Sequence, residues 1–152
     1  MKKFSFLIFF LSSFSTLFGE NYFQQHVHYT IACTLNTNEH TIDGSETLEY
    51  TNNSPDTLKE VFFRLYWNAF TYGSYWEKTA WTQKNFFKDS SGGVWLKKFS
   101  QQENGVEKNL SYEIDNTILH VILLSPLPPH STITFAIDWK EKIPTLGRRT
   151  GH

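Results

Sequence analysis

A metal-dependent hydrolase needs ligands gathered on one face, most simply two histidines one helical turn apart with a glutamate beside the first. None of the six histidines opens a His-Glu-x-x-His run. His26 and His28 stand two residues apart, so an extended chain puts both on one face, where a carboxylate from Asp43 or Glu49 would make a metal site. A polar strand face in water produces the same spacing, and that is the expectation. His40, His120, His130 and His152 stand singly, and none is assigned a ligand role.

Acid–base work needs two carboxylates whose surroundings set their pKa values apart. Glu46 with Glu49 and Asp138 with Glu141 are close in sequence, but all four lie in alternating runs that explain them as solvent-facing. Gly-x-Ser-x-Gly is absent, and Ser90-Ser91-Gly92-Gly93 reads as a flexible loop rather than a strand-to-helix elbow. Those glycines precede a strand, not a helix, so they form no phosphate cradle. Cys33 is the single cysteine: it has no partner for a disulfide within the chain and no second thiol for a zinc cluster, and it is expected as a small buried apolar residue. What remains is an aromatic stretch. Tyr72, Tyr75, Trp76 and Trp81 could stack on sugars or face a partner protein, or they could simply pack into a core or against another domain.

The elements that would hold these residues are strands. Val27, Tyr29, Ile31, Cys33 and Leu35 alternate with His26, His28, Thr30, Ala32 and Thr34, which predicts a strand with one apolar face. After a turn at 36–39, the run from His40 to Thr51 sets Ile42, Leu48 and Tyr50 on one side, and the two strands are expected to pair antiparallel. Gly44 in its middle predicts a bulge or a close approach of another group to the backbone. Asn52-Asn53-Ser54-Pro55-Asp56 is a turn. Leu58 to Asn68 carries aromatics on both faces, which predicts a central strand covered on both sides. Ala69 to Gly92 has no period and reads as a long loop with one helical turn. Strands resume at Val94 to Phe99 and Leu110 to Ile114, with Asn104-Gly105 turning between them. Ile118 to Leu124 is nearly all apolar and is expected to be buried on both faces. Pro126, Pro128 and Pro129 are expected to stop pairing on that line before a last strand from Thr132 to Lys140. Seven or more strands joined by short turns predict an all-β fold, an antiparallel β-sandwich or saddle with one long aromatic-rich loop.

The chain's 152 residues suffice for one such domain, and 19% charged residues with a net charge of −1 argue against nucleic acid as a partner. Residues 1–19 have the form of a secretory signal: Lys2 and Lys3, an apolar stretch from Phe4 to Leu11, then small residues that allow cleavage after Ser15 or after Gly19. The apolar stretch is shorter than the roughly 20 residues a membrane span needs, so no stable span is expected after cleavage. Losing these residues removes two lysines and no acid, which takes the formal charge from −1 to −3. The expected mature domain is 20–152, exported to the periplasm, the cell surface or the medium.

The order of these pieces resembles a known family. His28-Tyr29-Thr30-Ile31-Ala32-Cys33-Thr34-Leu35, then His40 to Leu58 with its Gly44-Ser45-Glu46 and Asn53-Ser54-Pro55-Asp56, then Val61 to Phe70, is similar to the opening of zinc aminopeptidases related to aminopeptidase N and leukotriene hydrolase, most of all their exported bacterial branch. Leu127-Pro128-Pro129-His130 through Phe135, and Lys142-Ile143-Pro144, resemble that family's Pro-rich turn, last strand and exit. The likeness covers residues 22 to 152, and its specificity lies in order and spacing rather than in any one motif.

The resemblance implies an N-terminal β saddle packed on a thermolysin-like catalytic domain, which would hold the zinc and the peptide substrate. The family's His-Glu-x-x-His, its distant glutamate and its Gly-x-Met-Glu-Asn loop have no counterpart in this sequence. Catalytic, cofactor-binding and metal-binding residues are therefore all expected to be none here, with zinc implied only for the catalytic domain. Arg148-Arg149-Thr150-Gly151-His152 resembles the middle of the family's sequence, which implies a truncated or split member. The alternative expectation is an autonomous exported module that binds carbohydrate or protein through the Tyr72 to Trp81 loop. A hydrolase acting alone would need a metal site that the ligand inventory does not supply.

Overall fold

The computed structural model describes residues 22–79, 92–103 and 105–145. The signal-like residues 1–19, Trp81, Ser90, Ser91, Asn104 and the 148–152 run lie outside the described residues.

The fold is all-β. Eight antiparallel strands are described: β1 His26–Asn36, β2 Thr41–Thr51, β3 Leu58–Arg64, β4 Gly93–Glu103, β5 Val106–Asn109, β6 Tyr112–Asp115, β7 Ile118–Leu127 and β8 Thr132–Lys142. They form a five-stranded sheet in the order β1-β2-β8-β4-β5 and a three-stranded sheet in the order β3-β7-β6. The two layers close on one core, because alternation sends Leu48, Phe99, Ile133, Phe135 and Ile137 of the large sheet against Val61, Leu119, Val121 and Leu123 of the small one. Phe63 seals the centre, its ring edge-on to Phe99 at 5.3 Å and to Phe135 at 5.6 Å.

The first hairpin forms as its alternation predicts. β1 and β2 pair without a slip from His26 opposite Thr51 to Asn36 opposite Thr41. Asn36 makes the turn, accepting bonds at Oδ1 from the backbone N–H groups of Asn38 (3.0 Å) and Glu39 (3.1 Å). Gly44 proves to be a close approach and not a bulge: the Trp139 indole, directly opposite in register, lies over the bare Cα.

Several expectations are corrected by the layering. The strand from Leu58 stops at Arg64 rather than Asn68, and Tyr66–Phe70 turn as a 3-10 helix whose Asn68 donates from Nδ2 to the Asn116 carbonyl (3.0 Å) and accepts from the Val94 N–H (2.8 Å). β3 is an edge strand, and neither it nor β7 is covered on both faces: Phe62 is 62% exposed and Ile122 63%. β7 runs through Pro126 to Leu127, which pairs with Leu58 across a register shift that accommodates the missing N–H. β4 continues to Glu103 and turns at Gly105 (φ +76°) into β5, a strand that alternation alone did not mark, before β6. Within β4 a register shift between Leu96 and Lys98 inverts the phase, so Leu96 and Phe99 both face inward. Cys33 is exposed rather than buried, because the small sheet stops short of β1.

The long segment after Phe70 holds α1, Tyr75–Thr79, in its described part. Ser74 caps its start, and Glu77 reaches back to the residue before the cap. The Glu77 N–H donates to Ser74 Oγ at 3.2 Å, and the Glu77 carboxylate accepts from the Gly73 N–H at 2.6 Å.

Candidate functional site

Register decides which side chains can act together. His26 and His28 do share the outer face of the large sheet, and Glu49 stands directly opposite His28. Asp43 stands opposite Thr34, six residues along β1 from His28, or roughly 20 Å at the rise of a strand. Its carboxylate is taken by Lys97, whose ammonium holds its pKa below the usual range. Among the described residues no group of three or more His, Cys, Asp or Glu side chains is placed to hold a metal ion. His120 contacts Glu60 at 2.6 Å and stacks on Phe62 at 4.7 Å on the outer face of the small sheet.

Neither sequence-adjacent carboxylate pair forms, since residues three apart on a strand point to opposite faces. Asp138 and Glu49 face outward as expected, but Glu46 and Glu141 do not: both are half-buried on the inner face. Glu46 lies opposite Ile137 and Glu141 opposite Ile42, with Trp139 on the rung between them. The expectation that alternation puts all four acids in water is thus corrected for these two. Strand phase alone could not say which face the other layer would cover.

These two glutamates line a cleft of about 480 Å³, where the sheets splay apart on the side of β1 and β3. Tyr29, Tyr50, Tyr66 and Trp139 form much of its wall, and Arg64 stands at its rim. Burial pushes the Glu46 carboxyl above the ordinary glutamate range, opposed in part by a hydrogen bond from Trp139. Burial, then the Glu46 charge, pushes Glu141 up as well. The Tyr29 phenol is raised by burial and by Glu46, and Tyr50 by burial. The cleft therefore disfavours charge on its two carboxyls and can hydrogen-bond a polar group, and among the described residues its lining has no His, Cys, Ser, Thr or Asp to serve as nucleophile or metal ligand. The signal for it was present in the sequence as the Gly44, Glu46 and Trp139 set, but only the β2–β8 register joins them.

The aromatic stretch is distributed differently. Tyr72 and Tyr75 are 58% and 70% exposed beside a shallow depression of about 380 Å³ that they share with Lys78, Asp115 and Asn116. Trp76 turns back and meets the Phe70 ring edge-on at 5.7 Å. Gly92 and Gly93 lead into β4 and serve packing: the space over Gly92 is closed by the Lys142 carbonyl and the Pro144 ring, both 3.0 Å from where a Cβ would sit.

The most connected polar side chain is one the sequence marked only as part of a turn. Asn52 is fully buried, donating to the carbonyls of Asp56 (2.8 Å) and Leu127 (3.1 Å) and accepting from the Ser54 N–H (3.0 Å) and Oγ (2.6 Å). It ties the β2–β3 turn to the end of β7, so its role is architectural. Among the described residues no helix is long and apolar enough to cross a membrane. In comparison with known proteins, the chain matches no family model and no curated protein.

Proposed function

We propose that this chain is the non-catalytic N-terminal β domain, present as a fragment, of a secreted zinc aminopeptidase-like protein. It would pack against a catalytic domain and bound its active site. Zinc and the peptide substrate belong to that catalytic domain, and residues 1–19 would direct export. The support is the ordered set of motifs from His28 to Pro144 together with one structural observation, the bare outer face of the small sheet.

That observation carries the reading. β7 has apolar residues on both sides and β3 adds Phe62 to the outer one, yet only their inner rows meet the large sheet, leaving Phe62, Ile122 and Leu124 at 62%, 63% and 43% exposure. Covering such side chains stabilises by roughly 1.5–3 kcal/mol for each that is fully buried. His120 and Glu60 lie within this face, on the rungs of Phe62 and Ile122, and bond to each other. The test is the intact mass and zinc content of the native product, captured with an antibody to the 36–54 region. A mass several-fold that of the chain, with zinc, is expected. A chain-sized product without zinc would overturn the proposal.

The exposure of Tyr72 and Tyr75 around the depression with Asp115 and Asn116 favours the second reading, an exported binding module for carbohydrate or protein. Replacing Tyr72 and Tyr75 by Ala would then abolish retention on immobilised carbohydrate or partner without unfolding the domain. Unchanged retention would sink it.

A further inference from the structure

A strand at the edge of a sheet presents a row of unpaired N–H and C=O groups, and proteins ordinarily blunt such edges with charge, shortness or bulges. Three of the four edges among the described residues are treated this way. β5 and β6 have four residues each, with Glu107 and Lys108 on one and Glu113 and Asp115 on the other. β3 carries Lys59, Glu60 and Arg64 and has a register shift. β1 is the exception: eleven residues, no Asp, Glu, Lys, Arg, Pro or Gly, and unbroken register with β2. Its inner row is also uncovered, with Tyr29, Ile31 and Leu35 each at least half exposed.

We propose that β1 is the seam of a homodimer, pairing antiparallel with β1 of a second copy about a two-fold axis at Ile31. The strand's own sequence argues for this occupant. Ile31 is its midpoint, and a two-fold there sets Ile31 opposite itself, Tyr29 opposite Cys33, and Val27 opposite Leu35 on the inner face. On the outer face Thr30 meets Ala32, His28 meets Thr34, and His26 meets Asn36. Every pair joins apolar to apolar or uncharged to uncharged side chains, so no like charges of Asp, Glu, Lys or Arg oppose one another. Such an axis is perpendicular to the sheet. It joins the two five-stranded sheets into one and brings both small sheets to the same side, as walls of a trough floored by the two β1 rows. Exposed apolar side chains on β1 thereby gain cross-strand neighbours that one copy cannot supply. The seam is separate from the Phe62, Ile122 and Leu124 face, so it stands whether or not that face docks a catalytic domain.

The test is sedimentation equilibrium of the full chain, with two variants. The wild-type chain is expected at twice its formula mass, and Ile31→Lys, which opposes two ammonium groups at the axis, at its formula mass with unchanged circular dichroism. Should Ile31→Lys fail to fold, Ile31→Cys in a Cys33→Ser background reads the seam directly, because residues at the axis face each other and form an intermolecular disulfide under mild oxidation. A monomeric wild-type chain, a dimer indifferent to Ile31→Lys, or no cross-link at residue 31 would each overturn the proposal.

Discussion

Gly44→Ala is expected to destabilise the domain by way of one neighbour, Trp139. A Cβ built on Gly44 would lie 2.2, 2.4 and 2.6 Å from three atoms of the Trp139 ring, where ordinary contacts fall at 3.4–4 Å. The indole must therefore move by more than an ångström or change rotamer, giving up its present contacts on the inner face. Overpacking of this kind costs about 1–3 kcal/mol. Against that stands a gain of roughly 0.5–1 kcal/mol, because Gly44 is paired as ordinary extended strand and alanine loses less backbone entropy there. The net expectation is a loss of about 1–2 kcal/mol, or roughly 0.5–1 M in urea midpoint for a slope near 2 kcal/mol/M. Urea titration followed by circular dichroism measures it, and a double-mutant cycle assigns it. In a Trp139→Ala background the clash is gone, so Gly44→Ala should become neutral or stabilising. An equal loss in both backgrounds would refute the reasoning and place the cost in the backbone.

Three further expectations follow from the same geometry. Asn52→Ala leaves the Asp56 and Leu127 carbonyls and the Ser54 groups without their buried partner, and should cost about 2–4 kcal/mol in chemical denaturation, far more than Asn53→Ala. Ser74→Ala removes the cap of α1 and should cost about 1 kcal/mol, read as a lowered thermal midpoint. Glu141 has its pKa raised on folding by burial and by Glu46, so it binds protons more readily folded than unfolded. Its favourable contribution is complete below the unfolded glutamate pKa and is lost as pH rises through the folded value. Glu141→Gln should therefore raise the thermal midpoint at about pH 7.5 and lose that advantage near about pH 3.5, and an advantage that grows on acidification would contradict the assignment.

Period-two alternation was enough to mark β1, β2 and β8, because an extended chain places successive side chains on opposite faces whatever it packs against. It could not follow β4 past the shift at Leu96 to Lys98, where one extra residue exchanges the faces, nor mark β5, which has no apolar row. The turn at 52–56 was plain from residue types, whereas its anchoring of Leu127 by Asn52 spans 75 residues and has no local signal. The candidate site divides in the same way. Gly44 announced a bulge or a close approach, but the choice between them, Trp139 as the approaching group, and Glu46 and Glu141 as its flanking acids, depend on β8 taking the place beside β2.

By itself, then, the sequence determined the all-β class, the antiparallel first hairpin and the turns, since these follow from the dihedral preferences of single residues and from the pleat. Tertiary structure decided which faces are covered. β3 and β7 have apolar residues on both sides and β1 on one, and only the extent of the opposing layer leaves Phe62, Ile122 and the β1 row in water. Burial is a property of what lies across the interface, and the identity of that surface is carried by residues far away in the chain or outside it.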